Sequence, residues 1–176
     1  MAKKSTLFIV QAALIAALYA VLTLLQNTLL PGTTSAAVQF RVSEVLVILA
    51  LYTPAAIPGL TIGCIVANIS SLSVLGPWDL IFGSLASLVA ATLVYLLRNI
   101  RTFSLPVLAS LMPAIANGVI VGLEIEVLDG SFELIGFLTF GGCVALGELV
   151  VLLVLGLPFS KIIEKTKLDK SILALK

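Results

Sequence analysis

The sequence predicts an all-α fold: a six-transmembrane-helix bundle, an integral membrane protein forming a single domain over residues 1–176. Three observations carry that reading. The chain is 60% hydrophobic and 11% charged with a mean hydropathy of +1.22, whereas soluble domains are about half apolar and about a quarter charged. The apolar residues fall into long runs with short polar breaks between them, and the basic residues gather at every second break. At about 20 residues per span, six helices take about 120 positions and leave no room for a separate soluble domain.

The first helix is read over 7–25. Lys3 and Lys4 before it and Ser35-Ala36-Ala37 after it resemble the flanks of a signal peptide, but the run exceeds the about 7–15 apolar residues of such a leader. It is read as a retained span. Ala12, Ala16 and Ala20 form a stripe along it, with Ala13 and Ala17 alongside, and small residues every four let helices approach closely in lipid. The stretch Val42–Leu75 would make a helix of roughly 50 Å, against a hydrocarbon core of about 30 Å. It must fold back, and Pro54, Pro58 and Gly59 supply the turn, because proline lacks a donor and disfavours helix in the residue before it. Two short spans result, 42–53 and 57–72. The remaining spans are read over 79–97, 103–123 and 134–157, and the charged segment around Lys161, Glu164 and Lys165 is read as a solvated tail.

Charge orients the bundle. Lys3, Lys4, Arg98, Arg101, Lys161, Lys165, Lys167, Lys170 and Lys176 share one side if six helices alternate, and that side is predicted to be cytoplasmic, with both termini. Arg41 and the acidic run Glu124, Glu126, Asp129 and Glu133 fall outside. Glu126, Asp129 and Glu133 are read as solvated loop charges.

Composition also excludes chemistry. There is no histidine, so imidazole catalysis is ruled out and the commonest ligand of catalytic zinc is missing. Cys64 and Cys143 lie far apart in apolar runs and are read as packing residues. A net charge of +1 does not suit a nucleic-acid surface. No metal site and no cofactor are expected, and no GxxxxGK[ST] motif is present to bind ATP.

Ionisable residues within membrane spans are costly and mark functional sites. Here they are Arg41, Glu44, Asp79 and Glu148, joined by the amides Asn68 and Asn117. All but Glu148 fall in the outer half, which points to one pocket open to the outside. Arg41 and Glu44 share a helix face three residues apart, a spacing that also suits mutual neutralisation. Asp79 after Gly76-Pro77-Trp78 also suits a helix cap, and Trp78 an interfacial belt residue.

Val38-Gln39-Phe40-Arg41-Val42-Ser43-Glu44, Ile57-Pro58-Gly59-Leu60, Ile62-Gly63-Cys64-Ile65-Val66-Ala67-Asn68, Asp79-Leu80-Ile81-Phe82-Gly83-Ser84-Leu85, Pro113-Ala114-Ile115-Ala116-Asn117 and Gly147-Glu148 resemble the QueT family. That family is one of S components, the substrate-binding membrane subunits of energy-coupling factor (ECF) transporters. The resemblance implies import of a queuosine precursor, a 7-deazaguanine such as preQ0 or preQ1, from outside. It also implies partners, namely an ECF transmembrane coupling subunit and two ATP-hydrolysing subunits. It implies docking of the coupling subunit on Ala12, Ala16 and Ala20. For such a solute, Glu44, Asp79 or Glu148 is expected to accept from the donor edge of the base, and Gln39, Arg41, Asn68 or Asn117 to contact its carbonyl. Trp78 or Phe82 is expected to stack on it. The same architecture also suits a vitamin such as thiamine or riboflavin. A proton conduit through Glu148 lacks a second ionisable residue in the sixth helix, and an enzyme using Glu148 and Asp79 lacks any nucleophile–base pair.

Overall fold

The computed structural model describes residues 2–33, 39–72, 77–102, 105–128, 130 and 132–173, and Val38, Asp129, Phe103, Ser104 and Gly76 lie outside them. The described residues are helical, with no strand. In chain order the elements are α1 (Ala2–Leu29), the 3₁₀ helix α2 (Val42–Leu51), α3 (Ala56–Asn68), α4 (Pro77–Leu96), α5 (Val107–Leu128), α6 (Leu134–Lys165) and the short α7 (Leu168–Ser171). Four of them, α1, α4, α5 and α6, are long and apolar enough to cross a membrane, and α2 and α3 are shorter apolar helices. Large apolar side chains cover the exterior, among them Leu14, Leu18, Ile81, Ile115, Ile135 and Leu146. Such a surface suits lipid and not water.

α1, α3, α4, α5 and α6 pack in sequence as an arc, and α2 runs inside it against all five. Eight of the ten α2 residues are buried, and Val47, Ile48 and Leu49 centre the main hydrophobic core. Ten residues at the 3₁₀ rise of about 2.0 Å reach about 20 Å, one-third farther than an α-helix of the same length. The sequence reading expected an α-helical span over 42–53. The 3₁₀ winding lets a short segment run farther through the core.

Helix ends differ from the apolar runs for a physical reason: apolarity marks what lipid covers, and helix continues until something stops it. α1 extends past Leu25 through Gln26, Asn27 and Thr28. α5 begins after Pro106 and continues through Glu124 and Glu126, which therefore belong to a helix and not to a loop. α6 continues to Lys165 through a π-turn at Leu152–Gly156, with Pro158 just beyond it, where a missing N–H costs least.

The segment read as a solvated tail is docked. Ser160 and Ile163 are buried, Tyr52 Oη lies 2.6 Å from Ser160 Oγ and donates to Glu164 at 3.1 Å, and Arg101 pairs with Glu164 at 2.6 Å. Gln11 donates to the Ile172 carbonyl at 2.6 Å and accepts from Thr53 at 2.8 Å. This clasp closes the end of α2 at Leu51.

The alanine stripe also faces inward. Ala12, Ala16 and Ala20 are buried against α3, where a Cβ added at Gly59 would sit 2.8 Å from the Ala12 carbonyl oxygen and one at Gly63 2.9 Å from that of Ala16. Small residues on both helices bring the backbones together, so the stripe packs against α3 within the chain. Gly118 and Gly122 of α5 meet Gly141 of α6 in the same way. Identical Gly→Ala substitutions should therefore diverge. Gly63→Ala is expected to destabilise by about 1–3 kcal/mol through overpacking, whereas Gly142→Ala, whose Cβ would meet open space, should gain up to about 1 kcal/mol of helix propensity. Equilibrium unfolding in detergent measures both.

Candidate functional site

Alternating helices bring the ends of α1, α3 and α5 and the starts of α2, α4 and α6 to one side of the bundle. Buried polar side chains converge there. Arg41 precedes α2 and Glu44 lies in its first turn, Asn68 closes α3, Asp79 lies in the first turn of α4, and Glu124 lies near the end of α5. Asn117 and Glu148 sit deeper, near the middle of α5 and α6. None of these carboxylates and amides is more than 5% exposed. Arg41 interacts electrostatically with Glu44, Asp79, Glu124 and Glu148, so one guanidinium serves four carboxylates. Its Nε has no hydrogen-bond partner.

Glu44, Asn68, Asn117 and Glu148 have side-chain hydrogen bonds. Glu44 accepts from the Tyr19 hydroxyl of α1, and it also interacts with the Arg41 charge three residues away. Asn117 Nδ2 donates to Glu148 at 3.0 Å, which leaves Glu148 Oε2 buried without a partner. Asn68 Nδ2 donates to the Asp79 carbonyl at 2.9 Å and lies across Gly83, where a Cβ would come within 2.6 Å of it. The glycine of the Asp79–Ser84 segment thus makes room for an amide. Gln39 is buried, with its backbone against Gly147, where a side chain would overlap the Gln39 carbonyl. That contact holds the segment before α2 beside Glu148.

Such a site presents acceptors from several sides and donors from Arg41 and the amides. Among the described residues no group of three or more His, Cys, Asp or Glu is placed to hold a metal ion. An apolar cavity of about 250 Å³ between α5 and α6 is lined by Ala114, Gly118, Phe137 and Gly141 and by none of the charged residues.

A protein-family model described as QueT transporter matches residues 9–165, which contain every residue of the site. The chain belongs to the QueT transporter family. A curated relative, the queuosine precursor transporter QueT of Lactococcus lactis subsp. cremoris (strain MG1363), is 39% identical over 98 residues, 55% of this chain and 54% of that protein. The match thus spans about half the relative's length. No solved structure matches.

In this QueT-family chain, Trp78 and Phe82 pack against each other with ring centroids 6.3 Å apart, but Trp78 is about half exposed and stands outside the buried cluster. Glu126 is not a solvated loop charge. It is buried and accepts from the Glu133 amide at 2.7 Å, which caps the start of α6. Glu133 is exposed. Sequence reasoning missed Tyr19, Thr23 and Gln26, which lie at i, i+4 and i+7 on one face of α1. Thr23 Oγ1 lies 2.7 Å from Ser43 Oγ, and Gln26 accepts from the Val42 amide at 2.8 Å and donates to the Phe40 carbonyl. Three polar residues at helical spacing in an apolar run were the available signal.

Tyr19→Phe leaves the Glu44 carboxylate short of a donor, an expected cost of about 1–3 kcal/mol. With Glu44→Gln, the double variant should cost less than the sum of the single ones, by about 0.5–3 kcal/mol. Additive unfolding free energies would show that the two side chains do not interact.

Proposed function

We propose that this chain is the S component of an ECF-type importer that binds a queuosine precursor from outside the cell, for ATP-driven uptake by partner subunits. The observation that carries the proposal is the convergence of Arg41, Glu44, Asn68, Asp79, Asn117 and Glu148 at one end of an otherwise apolar bundle. Membership of a transporter family and a relative named for a queuosine precursor support it. The basic residues at both termini and at Arg98 and Arg101 favour cytoplasmic termini, which turn the carboxylate end outward.

A 7-deazaguanine offers N1–H and an exocyclic amine side by side, which one carboxylate of Glu44, Asp79 and Glu148 accepts together. Arg41, Gln39, Asn68 or Asn117 contacts its carbonyl, and Phe82, paired with Trp78, stacks at the rim. Energy comes from a coupling subunit with two ATP-hydrolysing subunits. Because Ala12, Ala16 and Ala20 are buried, the coupling subunit docks on the exposed face of α1, where Ala13 and Ala17 lie among Val10, Leu14, Leu18 and Val21.

Losing a buried charged hydrogen bond costs about 1.5–3 kcal/mol, or roughly 10- to 150-fold in affinity. Calorimetry of the purified protein with preQ0, preQ1 and guanine should show that loss in at least one of Glu44→Gln, Asp79→Asn and Glu148→Gln. Wild-type affinity in all three folded variants would refute the carboxylate site. A wild-type protein that ignores both precursors and retains thiamine or riboflavin would refute the solute. Ala17→Trp is expected to leave solute binding intact and to abolish co-purification with the coupling subunit. A complex that survives the substitution would place docking elsewhere.

A further inference from the structure

We infer that Glu124 receives a positive charge carried by the solute, so that the site takes the aminomethyl form of a 7-deazaguanine in preference to the nitrile form. The inference rests on the reading of the carboxylate end as the solute site. It begins from a charge imbalance. Glu148 feels the like charge of Glu44 and Glu124 that of Asp79, with Arg41 as the cation that acts on all four, and buried carboxylates in excess of cations need protons or a positive ligand.

The chain donates a hydrogen bond to one oxygen of Glu44, Glu126 and Glu148 nearby, although Glu148 Oε2 is left without a partner. Tyr19 serves Glu44, Asn117 serves Glu148, the Glu133 amide serves Glu126, and Asp79 interacts within the chain. Glu124 is the exception. It is 3% exposed, no described residue donates a hydrogen bond to it, and its Oε2 is shut away from solvent without a partner. Its charged neighbours are Asp79, of the same sign, and Arg41.

Ligand chemistry then discriminates. An ammonium carries three N–H donors and a charge, and it can bridge Glu124 to a second carboxylate. A nitrile nitrogen carries only a lone pair, so beside Glu124 an acceptor would face an acceptor. The two ligands share the same ring, so the rest of the site contributes equally to both and their difference reports this one position.

The test is calorimetry of the full-length wild-type protein and Glu124→Gln with the aminomethyl and nitrile ligands, alongside thermal unfolding. Wild type should bind the aminomethyl form at least about tenfold more tightly. In Glu124→Gln the aminomethyl affinity should fall roughly 10- to 150-fold and the preference should collapse. Wild type that binds both forms equally, or the nitrile more tightly, overturns the role of Glu124 and leaves the queuosine-precursor reading standing. Wild type that binds neither overturns that reading, and this inference with it. A folded Glu124→Gln that retains the wild-type preference, or weakens both ligands equally, also overturns the inference.

Discussion

Lipid offers no hydrogen bonds, so every polar group placed in this bundle must find its partner within the chain or in what the chain binds. The contact between Tyr19 and Glu44 is where that constraint is met most directly. It joins the apolar helix α1 to the first turn of the central 3₁₀ helix. Thr23 and Gln26 extend the junction to Ser43, Val42 and Phe40. With α2 held there, Arg41 is set among Glu44 of α2 and the carboxylates of three other helices, and Gln39 is pressed against α6 at Gly147. The position of the whole polar cluster follows from how one face of α1 grips the start of α2.

The two ends of α2 are anchored differently. At Val42 the partners are side chains of α1 and the cluster around Arg41. At Leu51 they are Gln11, Ser160, Glu164 and Arg101, a closed set in which hydroxyl, amide and ion pair satisfy one another. Buried atoms without a hydrogen-bond partner remain on both sides: Arg41 Nε, Glu124 Oε2 and Glu148 Oε2 on the side of Val42, and Asp169 Oδ1 in the C-terminal segment beside the clasp.

What was legible in the sequence is what lipid itself dictates. Apolar runs marked the helices, Pro54 lies in the break that divides the long stretch while Pro58 and Gly59, expected in the turn, fall inside α3, and rare charges within spans pointed to Arg41, Glu44, Asp79 and Glu148, which the fold brings together. Details decided by packing were not legible. A stripe of small residues says that something approaches closely but not what, and here α3 approaches, through Gly59 and Gly63. Charged residues after an apolar run look solvated whether they are Glu133, which is exposed, or Glu126, which is buried beneath the start of α6. The docking of the C-terminal segment depends on Gln11 and Tyr52, more than a hundred residues away in the chain. Nor does a run of Val, Ile and Leu announce 3₁₀ winding, because that geometry answers to neighbours on every side.

The π-turn at Leu152–Gly156 has a bearing on how this helix tolerates change. Glu148, Leu152, Gly156 and Ser160 are buried at intervals of four, yet four residues advance an α-helix by about 400°, so three such steps would drift by about 120°. The wider turn absorbs most of that drift, since i→i+5 winding advances less per residue. It acts as a phase corrector, keeping Glu148 on the cluster and Ser160 on Tyr52 from a single continuous rod. The turn is therefore where α6 has a residue to spare: loss of one residue within 152–156 would let i→i+5 winding revert to i→i+4 and keep Ser160 and Ile163 on the same face. Loss of one residue from the α-helical winding on either side, which shifts the phase by about 100°, would turn one flank away from the other and uncouple the clasp from the site while leaving the hydropathy of the segment almost unaltered.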